Sequence, residues 1–114
     1  MTALDRAKEI AQLIDNKKGD DVRVLHIGTL TSIGDYFVVA TGSSTTQVKA
    51  LADSVDEKLS AQGIQPRRIE GYTSASWILM DYNDVIIHIF LKETREFYSL
   101  ERLWGDAPEV EWDK

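Results

Sequence analysis

The chain has 114 residues, 43% hydrophobic and 28% charged, a size and balance that suit one self-supporting core and argue against disorder. Nineteen acids against 13 bases give a formal net charge of −6, which disfavours binding to DNA or RNA phosphate and suits a basic protein partner. The absence of cysteine excludes disulfides, thiolate catalysis and zinc-ribbon chemistry.

Residues 2–17 read as a helix, with Thr2 as cap, Asp5 approximating a capping box, and Leu4, Ala7, Ala11 and Ile14 on one stripe. Gly19 is its expected stop. This opening has no apolar stretch of signal-peptide type, and no apolar run approaches the ~20 residues that span a bilayer, so a cytoplasmic protein without membrane attachment is expected. Residues 22–28 alternate as a strand, and residues 36–41 form a β-branched and aromatic run that reads as a central strand, apolar on both faces. Ser43 or Ser44 can cap a second helix whose stripe is Val48, Leu51, Ala52, Val55 and Leu59, stopped by Gly63.

A third strand is expected over RRIEGY after Pro66, then two more at 77–82 and 85–91, joined at Asn83 and Asp84 as a hairpin. Residues 94–104 read as a short helix capped by Thr94 and stopped by Gly105. The acidic segment 106–114 lacks periodicity and is expected to fray. The order helix, two strands, helix, three strands, helix implies an α+β domain over residues 1–105. Its core would be one mixed sheet of about five strands partly covered by helices.

Few residues invite chemistry. His26 and His88 both fall in strands without an acid or nucleophile at diagnostic spacing, so each reads as a sheet-face histidine with a satisfied ring nitrogen. The turn TGSSTTQ resembles a phosphate-binding loop but lacks its lysine and reads as a helix cap. A metal-dependent nucleotidyltransferase would need an Asp-x-Asp pair beside Gly42-Ser43. Asp53 and Asp56 have the wrong spacing and sit mid-helix, and Asp81 and Asp84 flank a hairpin turn. Gly71, after Glu70, reads as a turn or bulge glycine. The aromatic and leucine side chains Trp77, Tyr98, Leu103 and Trp104 instead suggest a surface that holds a partner.

Taken together, Asp35-Tyr-Phe-Val-Val-Ala-Thr-Gly42, Glu70-Gly71, Trp77 to Asp81, Asp84-Val-Ile-Ile-His88, Arg95, Tyr98 and Leu100-Glu101-Arg-Leu-Trp104 resemble the ribosomal silencing factor family, also called Iojap-like. The resemblance runs from about residue 3 to residue 105. It implies a nucleotidyltransferase-like topology without the catalytic carboxylates, no cofactor, no bound metal and no enzymatic activity. It also implies a homodimer that binds ribosomal protein fourteen of the large (50S) subunit at the intersubunit face. There it would block joining of the small subunit and repress translation when nutrients are scarce. A role in large-subunit assembly needs the same contact surface. By position, the implied contact set is Trp77, Leu79 and Asp81 on one strand, with Tyr98, Leu100, Leu103 and Trp104 of the last helix, and Arg95 and Glu101 as rim charges. Side-chain alternation puts Trp77, Leu79 and Asp81 on one face.

Overall fold

The computed structural model describes residues 2–98, 102 and 104–112. The chain opens with helix α1 (Ala3–Asn16), where the Thr2 hydroxyl accepts from the Asp5 backbone N–H at 3.1 Å and the Asp5 carboxylate accepts from the Thr2 N–H at 3.2 Å. This is the reciprocal capping the sequence predicts. At the other end it is Lys18, not Gly19, that takes the left-handed conformation, with φ of 76°. Gly19 follows with its N–H on the Ile14 carbonyl at 2.8 Å, and a Cβ there would collide with the Ile14 side chain. The glycine is thus required for close approach.

Strand β1 (Asp20–His26) pairs antiparallel with β2 (Tyr36–Gly42). Helix α2 (Thr45–Ala61) follows, capped by the Ser44 hydroxyl on the Gln47 N–H at 3.1 Å and closed by Gly63 at φ of 80°. Its predicted stripe, Val48, Leu51, Ala52, Val55 and Leu59, is buried throughout. Strand β3 (Arg68–Glu70) is only three residues long. Strands β4 (Trp77–Asp81) and β5 (Val85–Leu91) form the expected hairpin, with Asn83 at φ of 76° in the turn.

Helix α3 (Lys92–Tyr98) begins directly at the end of β5, two residues before the predicted cap Thr94. The segment expected to fray contains a sixth strand, β6 (Glu109–Val110), antiparallel to β1. Trp112 anchors it, donating from Nε1 to the Val22 carbonyl at 3.1 Å while Gln12 holds the Trp112 carbonyl at 2.8 Å. These contacts have no sequence periodicity to announce them.

The sheet order is β3-β4-β5-β2-β1-β6, with β2 and β5 parallel and all other neighbours antiparallel. One mixed sheet in an α+β domain is therefore confirmed, with six strands rather than about five. One sheet face is covered by α1 and α2 over Val24, Val38, Ala40, Ile78, Met80, Ile87 and Ile89, all buried. The opposite face carries a second, smaller apolar cluster of Leu25, Ile27, Phe37, Val39, Ile86 and Phe90, and among the described residues α3 meets it at β2 and β5. Among the described residues no helix is long and apolar enough to cross a membrane.

Candidate functional site

Strand alternation places Trp77, Leu79 and Asp81 together on the sheet face turned away from α1 and α2, as expected. Their register partners on β5 are Phe90, His88 and Ile86, and β2 contributes Phe37 and Val39 beside them. Trp77, Leu79 and Trp104 lie half-buried against this second cluster. The rings form a connected row. Trp77 packs on Phe90 at 4.9 Å between centroids, His88 meets Phe37 edge-on at 4.5 Å, and Phe37 meets Trp104 edge-on at 5.4 Å. Trp77 and Trp104 are distant in sequence, so the fold brings two of the predicted contact residues to one patch.

His88 sits at the middle of that row, only 4% exposed. The Trp77 indole N–H donates to its Nδ1 at 3.1 Å. Because indole nitrogen can only donate, Nδ1 must be the bare nitrogen and the neutral ring carries its proton on Nε2. Burial pushes the His88 pKa down to about 4, so the ring is neutral at pH 7. Nε2 is buried with no hydrogen-bond partner among the described residues. Leaving such a donor unsatisfied costs about 1–3 kcal/mol. The sequence-based expectation of a satisfied ring nitrogen is met at Nδ1. His26 lies on the opposite sheet face, stacked on Tyr36 at 4.8 Å, so the two histidines do not converge.

Asp81 is 8% exposed and fully engaged at the β3 edge. It accepts from the Asn83 N–H at 2.8 Å and pairs with Arg68 at 3.8 Å; Arg68 also pairs with Glu70 at 3.3 Å. Arg67 donates to the Asn83 side-chain oxygen at 3.0 Å. Between this edge and the loop 28–35 lies a concavity of about 900 Å³, floored by Phe37, Leu79, Ile86 and His88. Leu30 and Ile33 in that loop are 46% and 54% exposed. The loop was not among the predicted contact residues. Its only sequence signal is two bulky apolar residues inside a turn-rich segment.

Arg95, expected as a rim charge, is instead 7% exposed and turned inward. It donates to the Asp21 carbonyl at 2.7 Å and the Thr41 hydroxyl at 2.6 Å, and its second amino group lies 3.4 Å from the Asp21 carboxylate. It pins α3 to the ends of β1 and β2. Of Tyr98 only the backbone position, the end of α3, is described. Leu100, Glu101 and Leu103 lie outside the described residues.

Among the described residues, the groups weighed for a nucleotidyltransferase lie apart. The Asp53 carboxylate on α2 accepts from the Tyr72 hydroxyl at 3.0 Å, on the side of the sheet opposite Asp81. The Ser43 N–H at the Gly-Ser turn is taken up by the Gln47 side-chain oxygen at 2.6 Å. Among the described residues no three of His, Asp and Glu gather closely enough to hold a metal ion.

Comparison with known proteins gives a consistent set of relatives. The family model described as "Ribosomal silencing factor during starvation" matches residues 1–114. Ribosomal silencing factor RsfS of Halalkalibacterium halodurans is 42% identical over 108 residues, spanning 91% of this chain and 92% of that protein. The mouse protein named Mitochondrial assembly of ribosomal large subunit protein 1 is 30% identical over 98 residues, spanning 83% of this chain and 43% of its own length. A crystal structure of a Chromobacterium violaceum protein superposes with a TM-score of 0.89 at 36% identity, covering 100% of this chain and 94% of that one.

Proposed function

The chain belongs to the ribosomal silencing factor family, and from that premise we propose that it binds the large ribosomal subunit through ribosomal protein fourteen, at the face where the small subunit docks. The observation that carries this reading is the second sheet face. It presents Trp77, Leu79 and Trp104 half-buried over an apolar cluster that, among the described residues, no helix fully covers. Half-exposed aromatic anchors on a rigid base are the usual source of interface affinity, because they bury large area with little ordering cost.

The mechanism is steric. A standard interface takes about 800 Å² from each partner. The domain measures 33 × 33 × 27 Å, so it can supply that area and still project into the path of the small subunit. The formal charge of −6 favours encounter with a basic ribosomal protein and opposes capture by bare ribosomal RNA. No substrate is turned over and no cofactor is needed. In the cytoplasm the unbound chain is a homodimer.

Titration of purified ribosomal protein fourteen into the chain, followed by calorimetry, tests the contact. Saturable binding that weakens by about 2 kcal/mol or more in Trp77→Ala supports it, and no measurable heat rejects it. The name of the mouse relative favours a second reading, in which the same surface rides on a maturing large subunit. The two differ in timing. A silencing factor is recovered on mature large subunits in starved cells, whereas an assembly factor is recovered on precursors during growth.

A further inference from the structure

The Nε2–H of His88 finds no hydrogen-bond partner among the described residues. The ring is held in place, because Trp77 donates to Nδ1 and Phe37 packs against it edge-to-face at 4.5 Å between centroids. The ring also forms part of the floor of the concavity between loop 28–35 and the β4–β5 hairpin. A nine-tenths-buried donor with no partner among the described residues, on a ring that lines an open concavity, is a group that an acceptor from outside can satisfy.

We propose that this concavity receives a neutral hydrogen-bond acceptor, a peptide carbonyl of the docked large-subunit protein, on His88 Nε2–H. This rests on the ribosomal reading above and names the partner chemistry of the same face. The neutrality follows from the surroundings. Asp35, Asp81 and Asp84 all line the concavity and oppose an entering carboxylate or phosphate. The two arginines at its rim already serve Glu70, Asp81 and Asn83. Phe37, Leu79 and Ile86 offer apolar contact beside the donor, and Leu30 and Ile33 stand exposed on the loop that borders it. A polypeptide supplies both halves, a carbonyl and flanking apolar side chains. A nucleic-acid backbone supplies its acceptors on phosphate and is repelled.

Two measurements test this. Long-range proton–nitrogen spectra of the free protein at pH 7 are expected to show His88 protonated at Nε2 and bare at Nδ1; the opposite tautomer overturns the proposal. Affinity for isolated large subunits is then compared for wild type, His88→Asn and His88→Gln. The Asn variant keeps an acceptor where Nδ1 stood, so the Trp77 indole resonance is expected to stay in place while the donor is lost, and binding falls roughly five- to tenfold. The Gln variant returns a donor near Nε2 and recovers most of that loss. Equal binding by His88→Asn and wild type, or no recovery in His88→Gln, overturns the inference and leaves the ribosomal reading standing. Absence of wild-type binding overturns that reading and this inference with it. The same fivefold loss measured on protein-free large-subunit RNA places the acceptor on RNA and overturns the peptide assignment.

Discussion

Arg95 shows how a charge at a single position can be read as surface and prove to be architecture. Its guanidinium reaches from α3 to the Asp21 carbonyl and the Thr41 hydroxyl, and Thr41 is itself buried. Arg95→Met keeps most of the stem and strands both acceptors, so urea unfolding is expected to show a loss of about 2–3 kcal/mol. A rim charge would change stability by less than about 0.5 kcal/mol, and a change that small would return Arg95 to the surface. His88 makes a second residue-scale prediction. Its folded pKa of about 4 lies below the ordinary histidine value of 6.5, so between those values the unfolded chain binds more protons. The stability tied to the neutral ring is therefore complete above pH 6.5 and is lost as pH falls toward 4, a span worth roughly 3 kcal/mol. His88→Asn should show a flatter stability profile than wild type between pH 7 and 4.5, measured by denaturant unfolding at each pH. Parallel profiles would mean that the histidine is not buried neutral.

At the scale of elements, Gly71 and the last strand are the informative cases. Gly71 has φ of 80°, and a Cβ there would run into the Trp77 carbonyl at the start of β4. Gly71→Ala is expected to cost about 1–3 kcal/mol through backbone strain and to disturb the position of Trp77. A thermal melt checks the first effect and the indole resonance of Trp77 the second. Both unchanged would show that the turn adapts. Strand β6 pairs with the outer edge of β1 and is sealed by Trp112. Removing residues 108–114 would free that edge, lower stability by about 2 kcal/mol and favour edge-to-edge association, visible by light scattering.

These elements also show what the sequence discloses. The α2 stripe, the capped start of α1, the β4–β5 hairpin and the shared face of Trp77, Leu79 and Asp81 were legible because each rests on local periodicity or turn chemistry. The sixth strand was not, since two residues paired to β1 carry no pattern of their own. Arg95 was not, because its partners Asp21 and Thr41 are distant in sequence and meet it only through the sheet. His88 could have been found. The hairpin register places it opposite Leu79, one diagonal step from Trp77, where an indole donor needs an acceptor. The motif resemblance led to the correct family, but motif position alone could not tell the half-exposed tryptophans from the buried arginine.

For the whole molecule, the sheet has two faces, and the proposed function gives each its own task. One is closed by α1 and α2 and supplies the core; the other, among the described residues, remains partly open over an aromatic-lined cluster. A binding surface built on strands keeps its side chains in fixed positions before the partner arrives, which lowers the ordering cost of docking. If the bound domain obstructs subunit joining, the joined fraction must fall in step with occupancy of the large subunit, by mass action and without any turnover. Sedimentation of separated ribosomal subunits, mixed with increasing amounts of the chain under joining conditions, measures this directly. The predicted result is loss of the joined peak, with the chain travelling on the large-subunit peak at equal stoichiometry. An undiminished joined peak at saturating protein would contradict it.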